Sequence, residues 1–112
     1  MFVAVFVRRL REGTTYEDFL EAWYPDEGFG FDGRGPITAR SLTDEREILT
    51  IGFVNLPSRE SLDEAMPRLA AQEARRHDRI DDVIESTSLR AIYEQLDEFD
   101  FSSDESVAAG RP

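Results

Sequence analysis

Hydrophobic positions along the chain switch between two periods. Residues 2–7 (Phe-Val-Ala-Val-Phe-Val) are apolar on both faces of a pleat, which predicts a strand over Phe2–Leu10 with neither face meant for water. Arg11, Glu12 and Gly13 make the turn. Thr14-Thr15-Tyr16-Glu17 reads as a capping box, so a helix opens at Thr14 or Thr15 with Glu17 three residues past the first threonine. Tyr16, Phe19, Leu20 and Trp23 then recur three and four apart, and Pro25 closes the helix. Residues 25–36 carry four glycines and read as a loop, long enough to be a candidate for ligand or partner contact.

The two-residue period returns over Ile37–Leu42 and Glu47–Leu56, two antiparallel neighbours joined by Thr43-Asp44-Glu45-Arg46. A second helical region opens at Pro57-Ser58, with Ser58 as a cap and Ser61–Glu64 as a further capping box. Leu62, Ala65, Met66, Leu69 and Ala70 share one face, and Ile80, Val83 and Ile84 continue it. Pro67 falls inside this run, which predicts a kink or a restart with Pro67 in the first turn. Ser86-Thr87 opens the last strand, Ser88–Leu96, where Leu89, Ala91 and Tyr93 alternate with Arg90, Ile92 and Glu94. Beyond Phe101 there is no period, and residues 102–112 are expected to form a mobile tail.

The order strand, helix, strand, strand, helix, strand has a rough strand-helix-strand pseudo-symmetry, the split arrangement of ferredoxin-like folds. The expectation is an α+β, ferredoxin-like βαββαβ domain over residues 1–101, with a four-stranded antiparallel sheet and both helices on one face. Since the first strand is apolar on both sides, the face without helices needs a cover, and a second copy of the chain is expected to supply it.

Composition narrows the chemistry. A chain of 112 residues makes one domain, able to bury roughly two thirds of its unfolded surface. The formal charge of −11 repels polyanions, so neither nucleic acid nor an anionic membrane is an expected partner. No cysteine is present, which removes disulfides, thiolate nucleophiles and thiolate metal sites. All 13 basic residues are arginine, which also removes Schiff-base chemistry and a lysine-anchored pyridoxal cofactor. Phe2–Val7 gives way at once to Arg8 and Arg9, unlike a secretory leader, so a cytoplasmic location is expected.

Four signals could carry chemistry. Gly28-Phe29-Gly30-Phe31-Asp32-Gly33 is a literal GxGxxG, yet it follows a helix and leads into a strand, the reverse of the dinucleotide-binding context. His77 is the only histidine. If the second helix is continuous, Glu73 lies on the centre of its buried face, flanked by Arg76 and His77, with His77 as base or ligand and Glu73 orienting it. If the helix breaks near His77 and Asp78, these become surface groups, and the rarity of unpaired buried charge favours that reading. Arg8, Arg9, Arg40 and Arg90 lie on strands and could gather a carboxylate or enolate, or else pair at the sheet rim. Trp23, Tyr24, Phe29 and Phe31 could wall an apolar pocket, or serve as core. The candidate catalytic residues are therefore His77 and Glu73. The candidate substrate-binding residues are Arg8, Arg40, Arg90, Trp23, Tyr93 and Phe29. Asp81-Asp82, Asp97-Glu98 and Asp100 read as solvated faces, and neither a metal nor a cofactor is expected.

By element order, length, doubly apolar strand and the hairpin Ile37–Leu56, the chain from Phe2 to Phe101 resembles the dimeric α+β barrel superfamily. That group includes antibiotic-biosynthesis-type monooxygenases, heme-degrading monooxygenases, muconolactone isomerase-like proteins and stress-responsive barrel proteins. The resemblance implies a homodimer whose sheets form a barrel between subunits, with small apolar ligands held between sheet and helices. Heme-degrading members use a histidine on the second helix, with an asparagine and a tryptophan on strands. His77 matches the first, but the first strand has no asparagine, Asn55 falls at the end of the third strand and Trp23 lies on the first helix. The cofactor-free members fit better, implying a monooxygenase whose aromatic or polyketide-like substrate itself activates oxygen. The alternatives are a non-catalytic ligand-binding or structural dimer and, third, heme degradation.

Overall fold

In a computed structural model of the protein, residues 1–26 and 28–102 are described. The expected tail lies almost wholly outside them. Six elements follow one another: β1 Phe2–Leu10, α1 Tyr16–Trp23, β2 Ile37–Arg40, β3 Glu47–Val54, α2 Arg59–Asp81 and β4 Ile84–Glu94. The four strands form one antiparallel sheet in the spatial order β2-β3-β1-β4, so β1 sits inside, between β3 and β4. The class is α+β, compatible with a ferredoxin-like arrangement.

Local chemistry explains the boundaries, and corrects several expectations. The α1 cap is Thr15, whose hydroxyl accepts from the Asp18 N–H while the Asp18 carboxylate accepts from the Thr15 N–H. The box is thus Thr15–Asp18 and not Thr14–Glu17, because Asp18 is the acid that reaches back to the residue outside the helix. In α2 the reciprocal pair is Ser58 with Ser61, which leaves Ser61 inside the helix and rules out a second box at Ser61–Glu64. Pro67 neither restarts nor ends α2. It is exposed, as is Asp63, whose carbonyl loses its helical donor to the proline ring and can turn to water.

The hairpin turns earlier than its polar stretch suggests. Ser41 Oγ accepts from the N–H groups of Thr43 and Asp44, which bends the chain at Ser41 and ends β2 at Arg40, short of Leu42. At the other end of the sheet, Ile84 does not continue the helix. It pairs with Leu10 as the first residue of β4, and its apolar phase satisfies either period, so only the pairing decides. Two register shifts, between Val7 and Arg8 and between Arg9 and Leu10, mark bulges where β4 leaves β1.

The sheet has unlike faces. Phe2, Arg8, Leu10, Ile48 and Thr50 are buried on the side covered by the helices. That side holds two apolar clusters. Leu10, Phe19, Ala22, Ile48, Ile80 and Ile84 form one, and Phe2, Leu62 and Leu69 anchor the other. The opposite face carries Val3, Val5, Val7, Leu49, Ile51 and Phe53, none of them fully buried. No helix among the described residues is long and apolar enough to cross a membrane.

Candidate functional site

Between the two apolar clusters the buried stripe of α2 turns polar. Leu62 and Leu69 precede Gln72 and Arg76 on that stripe, and Ile80 follows, each within 8% exposure. Because α2 continues through His77 and Asp78 to Asp81, the break that would have released these side chains to the surface does not occur. The buried charge that made a break the expectation is instead paired. Glu73 Oε1 accepts from Arg76 Nη1, and Glu73 Oε2 lies 2.9 Å from His77 Nε2.

Strand register supplies the floor. Thr50, Phe6 and Arg90 stand in one row across β3, β1 and β4, and Arg8 is two residues further along β1 on the same face. The His77 ring is 5.6 Å from that of Phe6. Above Phe6 lie two guanidinium groups, Arg8 at 4.2 Å and Arg90 at 6.0 Å from the ring centroid. Arg8 is 2% exposed, and it donates to Thr50 Oγ1 at 3.3 Å. Phe6, Thr50 and Gln72 do not stand out as site residues on sequence, for they join Arg8 and His77 only through register and helix docking, whereas Arg76 is legible there as a flank of Glu73.

Electrostatics follow from this packing. Burial, then repulsion from Arg76, lowers the Arg8 pKa to about 10, with the Glu73 carboxylate opposing. For Glu73, burial pushes the pKa up, but the hydrogen bond from His77 and the charge of Arg76 outweigh it and hold the carboxyl below its usual range. Glu73 is therefore a fixed anion, and it selects the His77 tautomer that donates from Nε2 and leaves Nδ1 free to accept a proton.

The other candidates divide. Arg76 Nε donates to the Trp23 carbonyl at 2.8 Å, and its guanidinium lies 5.5 Å from the Trp23 ring and 5.4 Å from that of Phe29. Trp23 and Phe29 thus border the site through Arg76. Arg40 stands beyond Ile48 and faces the Tyr16 ring at 5.6 Å. Arg9 points to the opposite face and pairs with Asp44 and Glu85. Tyr93 pairs with Val3 on the face without helices, so the sheet separates it from His77. The structure does not bring Arg40 or Tyr93 to the site.

The glycine loop presents carbonyls. Phe29 O accepts from Arg68 Nη1 at 2.7 Å and Gly28 O from Gln72 Nε2 at 3.3 Å, whereas a phosphate-binding loop must aim N–H groups at its ligand. Two clefts lie towards the Leu10 end. One of about 780 Å³ is lined by residues including Tyr16, Arg40 and Arg46, and one of about 190 Å³ by Tyr16, Thr38, Ala39 and Arg40; neither includes His77. Among the described residues, no three His, Cys, Asp or Glu side chains group to hold a metal ion. No family model, no curated protein and no solved structure matches the chain.

Proposed function

We propose that this protein is a small-molecule-binding homodimer of the dimeric α+β barrel type, and that it acts as a cofactor-independent monooxygenase on an electron-rich aromatic or polyketide-like substrate. The observation that carries the reading is the Glu73–His77 pair at 2.9 Å, set beside Phe6 between two apolar clusters. His77 Nδ1 takes a proton from an activated methylene or phenol, and Glu73 stabilises the imidazolium that forms. The resulting carbanion or phenolate reduces oxygen itself. For a methylene flanked by aromatic rings the balance is CH2 plus O2 giving C=O plus water, so the substrate supplies all four electrons and no reductant is needed.

The second copy covers the open face of Val3, Val5, Val7, Leu49, Ile51 and Phe53, an apolar patch that would otherwise meet water. One observation favours the rival reading of a non-catalytic binding dimer: the two clefts described above lie away from His77. Oxygen uptake with an anthrone as probe decides between them. On the catalytic reading His77→Ala lowers turnover by roughly a hundredfold or more while the protein stays folded. Wild-type protein that consumes no oxygen above the buffer rate, or a fully active variant, removes the proposed base.

A further inference from the structure

The polar layer holds more positive charge than it can pair. Arg8, Arg76 and Arg90 converge on it, and among the described residues Glu73 is the only carboxylate in contact with any of them. Both Glu73 oxygens are already engaged, one by Arg76 and one by His77. Asp81 acts on Arg8 only at a distance. Arg8, 2% exposed, is left with a single hydrogen bond to a neutral hydroxyl, Thr50 Oγ1, and a place over the Phe6 ring. A buried guanidinium is normally matched by an anion, since its desolvation otherwise goes uncompensated. The chain has 24 acidic residues, yet among the described residues no carboxylate hydrogen-bonds to Arg8. No side-chain N or O among the described residues is both fully buried and without a hydrogen bond, so the Arg8 nitrogens that do not bond Thr50 keep a sliver of accessible surface through which a ligand atom can reach them.

We propose that the missing partner of Arg8 is the carboxylate of a small aromatic acid, held by the Arg8 fork, approached by Arg90 from β4 and packed with its ring against Phe6. The planar guanidinium matches a carboxylate in two parallel hydrogen bonds, which a spherical anion cannot reproduce. Phe6 and the His77 ring, 5.6 Å apart, offer apolar surface next to that charge. This deepens the function proposed above by naming the substrate's anchoring group, and it rests on the same site without requiring turnover.

The test is calorimetric titration under nitrogen with benzoate, and with benzamide as the uncharged isostere. Benzoate should bind wild-type protein at least about tenfold more tightly than benzamide, in line with the strength of charge-assisted hydrogen bonds. Arg8→Met should abolish benzoate binding and raise the melting temperature of the ligand-free protein, because an unmatched buried charge gives way to an apolar chain of similar length. Arg90→Gln, at an exposed position, should weaken benzoate several-fold, and it keeps the test open should Arg8→Met fail to fold. Equal affinity for benzoate and benzamide, no benzoate binding at millimolar concentration, or wild-type affinity in either folded variant overturns the proposal. Since oxygen is absent, failure here is a separate result from failure of the base at His77.

Discussion

Glu73 is the side chain on which the polar layer depends. It neutralises Arg76, orients His77 and partly offsets the field on Arg8. Its carboxyl is held below the usual range in the folded protein, so its contribution to stability is present above the unfolded pKa and is lost as pH falls through the folded value. Melting temperature should therefore fall on acidification below about pH 4.3, the ordinary glutamate value. Glu73→Gln should flatten that part of the curve and cost about 1–3 kcal/mol at neutral pH, because Arg76 and His77 lose a charged acceptor. Melting curves of both proteins between pH 3 and 7 check this, and an unchanged acid limb in the variant would exclude Glu73 as its source. His77 and Glu73 were legible as a pair from their spacing of four residues. Their half-buried setting was not, since it needed Arg76 to be counted as a partner and not as one more charge to hide.

At the scale of elements, α2 organises the molecule through its arginines. The last turn of α1 has no basic residue of its own. Arg76 and Arg79 from α2 supply the missing positive charge, donating to the carbonyls of Trp23, and of Ala22 and Tyr24, so one helix caps the C-terminal end of the other. Arg68 and Gln72 fasten the glycine loop in the same way. Spacing places Arg76 beside the buried face of α2, but nothing in it reveals that the targets of Arg76 and Arg79 are the carbonyls of Ala22, Trp23 and Tyr24. Pro67 is the weak point of α2, costing a helical hydrogen bond at Asp63. Pro67→Ala should raise stability by about 1–3 kcal/mol in denaturant titration, since the site is exposed and alanine restores the donor. A loss of stability would mean that a bend at Pro67 is needed to fit Leu62 and Leu69 to the sheet.

For the whole molecule the decisive feature is a sheet with one face under helices and one face bare. If a second copy covers the bare face, the pair should bury more than about 1,000 Å² in total and remain dimeric at micromolar concentration. Ile51 pairs with Val5 and Ile37 in the middle of that face. Ile51→Glu should then yield monomers by light scattering, because a carboxylate would be buried twice over at the interface without a partner. Wild-type protein that runs as a monomer at that concentration would overturn the dimer.

The sequence by itself determined the order and type of the six elements, though not where β2 stops or β4 begins, because side-chain period and capping chemistry are local. β1 is legible from Phe2 to Leu10, and the two helices and the hairpin follow from spacing, proline and polar turns. The candidate pair Glu73 and His77 was legible for the same reason, being one helical turn apart. What only the tertiary structure decided is everything set by register and docking. The row of Thr50, Phe6 and Arg90, the separation of Tyr93 from the site, and the split of the arginines between two faces all follow from how β1 pairs with its neighbours. A period tells a side chain which face to take, but only the pairing of strands tells it whom it will meet there.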